Sequence, residues 1–94
     1  MARKAEEAAG FLRLLANRHR LMILCSLLER ECSVGELAER LAVPQPTVSQ
    51  HLFKLRAEGL VSTRRQGTTI HYSLAQESVR AVIDVLYREF CAPR

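Results

Sequence analysis

Between Ser33 and Tyr72 the chain places two helix signals, a proline-closed turn and a basic strand pair, an order that few folds accommodate. In Ser33-Val34-Gly35-Glu36 a serine stands three residues before a glutamate, a pair that satisfies two free amides at a helix start. A short helix is therefore expected from Val34 to Leu41, with Leu37 and Leu41 turned inward and Glu36, Glu39 and Arg40 in water. Ala42-Val43-Pro44-Gln45-Pro46 closes it, because proline cannot continue a helix and forces its predecessor into extended backbone. Pro46 fits instead into the first turn of a second helix, where its missing amide costs little. Val48, Leu52 and Leu55 recur at i, i+4 and i+7 as that helix's buried stripe, and Gly59 ends it as a left-handed cap.

The other face of the second helix carries Gln45, Thr47, Ser49, Gln50, His51 and Lys54. Short or planar hydrogen-bonding groups with few carboxylates suit base edges in a major groove. Composition alone would equally allow a solvated helix; the segment that follows decides between them. Leu60-Val61-Ser62-Thr63-Arg64 and Thr69-Ile70-His71-Tyr72-Ser73 read as two short strands joined by Arg65-Gln66-Gly67-Thr68. A hairpin tip with Arg64 and Arg65 can touch phosphates or the minor groove. Helix, turn, helix and basic hairpin together spell a winged helix-turn-helix that holds double-stranded DNA. Charge agrees: residues 43–72 hold four basic side chains against one acidic, three of the chain's four net positive charges. Such a patch implies salt-sensitive binding, as counterions leave when phosphates are neutralised.

The remaining helices have their own pattern. Ala5 to Ala16 is expected as a first helix, with Ala8, Leu12 and Leu15 on one side, Phe11 adjoining and Asn17 as the cap before the next. Leu21, Leu24, Cys25 and Leu28 fall at i, i+3, i+4 and i+7, giving an amphipathic second helix to about Glu31. The last helix, about Gln76 to Cys91, holds Val79, Val82, Ile83, Val85, Leu86, Tyr87 and Phe90, an apolar arc too broad for one buried stripe. Its second face calls for the same helix, with the first helix, of another subunit. A two-fold homodimer would present recognition helices to half-sites roughly 34 to 36 Å apart.

The expected fold is mainly α with a small β-hairpin: five helices, with the hairpin between the fourth and fifth. One domain spans residues 1–94: two helices over 3–32, the helix-turn-helix over 33–59, the wing over 60–74 and the dimer helix over 76–91. At 94 residues such a domain often gains stability by oligomerising. With 48% hydrophobic residues and five aromatics, Tyr 2 and Phe 3, it is an aliphatic helical protein. No apolar run approaches a membrane span and no signal-peptide core is evident, so a cytoplasmic protein without a membrane partner is expected. No nucleophile with a sequence-supported base, phosphate-cradling loop or metal-hydrolase motif speaks for an enzyme, and no cofactor is implied.

Leu15 to Leu24, Ser33 to Ala38, Val48-Ser49-Gln50-His51-Leu52, Leu55 to Val61 and Arg64-Arg65-Gln66-Gly67 together resemble the ArsR family of dimeric winged-helix regulators over nearly the whole chain. The resemblance implies a transcriptional regulator, usually a repressor, whose affinity for operator DNA responds to a metal or a thiol-reactive signal. Metal-sensing members often carry a Cys-x-Cys pair where this chain has Ser33 and Gly35. Others use Asp and His on the last helix, which here has Asp84 and no histidine. His19, His51 and His71 lack a second ligand at i+3 or i+4, so no metal site is assigned. A tertiary cluster using Cys25, Cys32 or Cys91 is what a metal-responsive alternative would require. His51 is expected to contact DNA or cap a buried polar group, His71 to lie on a wing strand and His19 to serve the second helix's start.

In a cytosolic protein three cysteines usually mean reduced, buried thiols. Cys25 and Cys91, however, match in context and separation the dithiol of a persulfide- and oxidant-sensing branch of the family. That likeness implies a reactive sulfur species or oxidant as effector, with a DNA-binding regulator lacking any thiol switch as the alternative. Cys91 is the expected attacker, favoured by Arg88 and Arg94 and opposed by the helix carboxyl end, and Cys25 among Leu21, Leu24 and Leu28 the resolver. The reverse order stays open. Cys32 departs from the branch pattern and is expected either to pack at the entry to the third helix or to compete for the bridge.

Overall fold

The structure, a computed structural model, describes residues 1–91. Helices α1 (Ala2–Leu15) and α2 (Arg18–Glu29) lead into a short strand β1 (Cys32–Ser33), followed by α3 (Val34–Leu41) and α4 (Gln45–Ala57). The wing strands β2 (Val61–Gln66) and β3 (Thr69–Leu74) come next. Helix α5 (Glu77–Leu86) then runs into a π-helical turn over Tyr87–Cys91. The expected mainly helical winged fold is therefore present. No described helix is long and apolar enough to cross a membrane.

The reading segment folds as its local chemistry dictates. Ser33 Oγ accepts from the Glu36 amide at 3.2 Å while Glu36 Oε1 accepts from the Ser33 amide at 2.9 Å, a complete capping box. Helix α3 ends on Ala42, which adopts a left-handed φ of 56° before Pro44 starts the next helix. Two bonds close α4, from the Gly59 amide to Arg56 and from the Leu60 amide to Leu55, with Gly59 at φ 81°. A Cβ at Gly59 would meet only the Gln76 Nε2 at 3.6 Å, so space permits it and backbone conformation does not. Gly59→Ala is therefore expected to cost about 1 to 2 kcal/mol in a denaturant titration, leaving the folded variant's DNA affinity unchanged.

Corrections to the expected boundaries trace to tertiary pairing. Helix α2 stops at Glu29 rather than Glu31 because β1 pairs antiparallel with β3, Cys32 opposite Tyr72 and Ser33 opposite His71. Arg30 is already extended, at φ −166° and ψ 164°. The sheet order is β1-β3-β2, a third strand added to the expected hairpin. Strand β2 runs to Gln66, opposite Thr69, so the turn is only Gly67-Thr68 with Gly67 at φ 62°. Arg64 and Arg65 thus lie in a strand, not at the tip.

Helix α2 is the centre of the fold, packed against α5, α4, α3 and β3. Its buried positions are Ile23, Leu24, Ser26 and Leu27, while Leu21, Cys25 and Leu28 are only partly covered. The expected stripe is thus rotated, because the deepest face of a central helix lies between several neighbours. Asn17 caps α2 as expected, its side chain accepting from the Arg20 amide at 3.0 Å. Helix α1 begins at Ala2 and packs through Leu15, with Phe11 and Leu14 partly buried; Ala8 is exposed and Leu12 is 56% exposed. On α5, Val79 and Ile83 face the core, whereas Val85 is 52% exposed and Phe90 of the following π turn 80%. The broad apolar arc therefore has one covered and one open side.

Candidate nucleic-acid interface and thiol pair

Helix α4 buries Val48, Leu52 and Leu55 and turns its opposite side outward. Gln45, Ser49, Gln50 and Lys54 are exposed there, and Thr47 is half-buried at the margin. His51 is also half-buried and packs edge-on against His19 of α2, ring centroids 5.6 Å apart at 63°. Burial, with the charges of Arg20 and His19 adding to it, holds His51 below its ordinary imidazole value. The neutral imidazole is thereby favoured, and His51 sits where α2 meets α4. Sequence spacing missed this pair because the two residues belong to different helices. Phe53, 79% exposed in the middle of the outward face, was also missed, since it falls off the apolar stripe that organises the helix.

On the wing, Arg64 makes a two-pronged ion pair with Glu31, at 2.6 and 3.2 Å. The Arg64 guanidinium hydrogen-bonds the Glu31 carboxylate and holds it below the usual carboxylate range. Arg65, one residue on, is exposed and has no ion-pair partner among the described residues. Alternation along the strand turns their side chains to opposite faces. Arg64 therefore braces the wing to the loop before β1, and Arg65 is the cation open to a ligand.

The second constellation lies beneath the π-helical turn. Cys25 of α2 and Cys91 of the turn line one largely apolar pocket of about 240 Å³, with Met22, Glu29, Arg40, Leu41 and Tyr87 around them. All three cysteines are free thiols, Cys25 half-buried, Cys32 buried and Cys91 exposed. Burial pushes the Cys25 thiol up to about 11, and the neighbouring Cys91 and Glu29 push it the same way. A wider π turn at Tyr87–Cys91 replaces the expected continuous helix, and both its first and last residues reach the pocket. Tyr87 Oη donates to Glu29 Oε2 at 3.4 Å, and the same carboxylate is ion-paired with Arg40 of α3. One carboxylate thus ties the thiol pocket to the first helix of the reading head.

Arg88 is engaged by Asp84 at 3.0 Å rather than by Cys91. Arg94, the other cation expected to favour a Cys91 thiolate, lies outside the described residues. Cys32 is fully buried, donates weakly to the Arg30 carbonyl at 3.6 Å and does not line the pocket. Burial also raises its pKa. Among the described residues, no three histidine, cysteine or carboxylate side chains converge as metal ligands.

Residues 17–63 match the family described as bacterial regulatory protein, arsR family. The transcriptional activator HlyU of Vibrio cholerae is 45% identical over 91 residues, covering 97% of this chain and 84% of that protein. A solved structure of that Vibrio protein, described as reduced, matches with a TM-score of 0.93 at 44% identity, covering 98% of this chain and 97% of the other. The biofilm growth-associated repressor of Agrobacterium fabrum is 46% identical over 93 residues, 99% of this chain and 80% of that protein. A homodimeric winged helix-turn-helix DNA-binding domain, Mb0332 of Mycobacterium bovis, matches with a TM-score of 0.82 at 32% identity, covering 94% and 82% of the two chains.

Proposed function

Since the chain belongs to the arsR family and is a DNA-binding transcription regulator, we propose that it is a homodimeric repressor released from its operator when a persulfide couples Cys25 to Cys91. The observation that carries this reading is the pair itself: two free thiols on separate elements line one pocket. The exposed sides of α1, α5 and the π turn, at Leu12, Val85 and Phe90, support the dimer, as does the homodimeric state of the Mycobacterium neighbour.

The chemistry balances without a cofactor. The Cys91 thiolate attacks the outer sulfur of a persulfide RSSH; the S–S bond breaks, RS⁻ leaves, and Cys91 becomes a persulfide. Cys25, having given its proton to solvent, attacks the Cys91 sulfur and expels hydrosulfide, leaving a Cys25–Cys91 disulfide. Two thiols are oxidised and the transferred sulfur is reduced to sulfide. Exposure of Cys91 and the raised pKa of Cys25 support this order of attack. Drawing the π turn toward α2 moves Tyr87, and with it the Glu29 carboxylate that holds Arg40 of α3. The recognition helices then shift in spacing, and operator affinity falls.

In the reading head, Gln45, Thr47, Ser49, Gln50, His51 and Lys54 are proposed to face the major groove and Arg65 to contact phosphate. Arg64 joins Arg65 only by leaving Glu31. Arg65→Ala is expected to weaken binding to all duplexes alike and to lower the slope of log affinity against log salt by about 1. Gln50→Ala is expected to relax preference at a single base pair, removing about 1 to 3 kcal/mol of discrimination. Fluorescence anisotropy over a salt series and a panel of single-base operator variants separates these outcomes. Equal effects of both changes on every duplex would overturn the assignment.

A further inference from the structure

We infer that Phe53 reads sequence, packing its ring against a thymine methyl in the major groove. The inference rests on the DNA-binding reading of α4 and extends it to a residue outside the polar recognition set. Phe53 follows Gln50 by three residues and Ser49 by four, so its ring shares their outward face, while Val48, Leu52 and Leu55 occupy the opposite side. It is 79% exposed there, flanked by exposed Lys54 and Arg56.

An isolated exposed apolar residue is ordinary on a protein surface. This one stands inside a polar recognition face on a helix that holds no carboxylate from Gln45 to Ala57. That charge pattern suits a polyanion. In the major groove the one apolar feature of the base edges is the C5 methyl of thymine, for which a phenyl ring is a recognised contact. Gln50 and Ser49 on the same face can hydrogen-bond adenine, so an A·T pair offers the ring a methyl beside the atoms they would read. Phe53 thereby supplies an apolar term that the polar set lacks, and specificity at that pair depends on a methyl group rather than on a hydrogen bond.

The test first selects a preferred duplex from a randomised pool with the reduced wild-type protein. Each thymine of that duplex is then replaced singly by deoxyuridine, which keeps every hydrogen-bonding atom and loses only the methyl. The wild type is expected to lose about fourfold in affinity per half-site at one position, the worth of one buried methyl-sized group. Phe53→Ala, at an exposed site, is expected to melt like the wild type and to bind the thymine and uracil duplexes equally at that position. A wild type indifferent to uracil at every position overturns the inference and leaves the DNA-binding reading intact. So does a Phe53→Ala variant that keeps the full thymine preference. Failure of the wild type to enrich any duplex would overturn both.

Discussion

Val85→Glu is expected to turn the protein into a folded monomer and to lower its affinity for a two-half-site operator by about a hundred- to ten-thousandfold. Val85 is on α5, 52% exposed and turned away from the core positions Val79 and Ile83. A carboxylate there leaves the protomer's interior untouched, so the fold should survive. In the proposed dimer the same carboxylate would be buried without a partner, which costs far more than the lost methyl groups. Two linked recognition helices bind the second half-site as an effectively intramolecular event, and a monomer loses that advantage entirely. Sedimentation velocity gives the mass, circular dichroism the fold, and a titration against paired and single half-sites the affinity. A variant that remains dimeric, or a monomer that holds the paired site as tightly as the wild type, would contradict the proposed interface.

The second large effect concerns which sulfur reacts first. With its pKa raised from 9.0 to about 11, Cys25 has about a hundredfold less thiolate at neutral pH than an unperturbed thiol. Nucleophilicity rises with pKa and returns roughly eightfold of that, using a Brønsted coefficient of about 0.45. The net handicap is about tenfold or more, before the half-buried position of Cys25 adds its own. Cys91→Ser is therefore expected to slow persulfide uptake at least tenfold near pH 7 and to abolish the operator response. Cys25→Ser is expected to take up sulfur at the wild-type initial rate and then stop at a Cys91 persulfide without a bridge. Mass spectrometry of time points resolves the two. The pH profile supplies an independent check: if Cys25 attacked first, the rate would keep rising toward pH 11.

Local chemistry made much of the reading head legible. The Ser33 and Glu36 capping box, the prolines at 44 and 46, Gly59 in a left-handed conformation and the stripe of Val48, Leu52 and Leu55 all act within one or two turns of chain. What escaped the sequence depends on partners distant along it. Strand β1 is only Cys32–Ser33 and exists because β3, nearly forty residues later, pairs with it. The deep face of α2 was displaced from the simple stripe because neighbours surround that helix on several sides. The ion pair of Arg64 with Glu31 and the ring contact of His51 with His19 likewise join residues that local spacing does not bring together. The π turn at Tyr87–Cys91 contains no proline or glycine to announce it. The thiol pair was anticipated from family likeness, whereas its shared pocket and its tie through Glu29 to Arg40 required the fold.

The central claim is that joining Cys25 to Cys91 loosens the grip on DNA. It is tested most directly by measuring operator affinity of one wild-type sample when reduced, after persulfide treatment, and after reduction again, with peptide mapping at each stage. The account predicts a Cys25–Cys91 link in the treated sample, a fall in affinity within the roughly 5- to 150-fold range of allosteric coupling, and full recovery on reduction. A sample that carries that link and binds its operator as tightly as the reduced protein would contradict it.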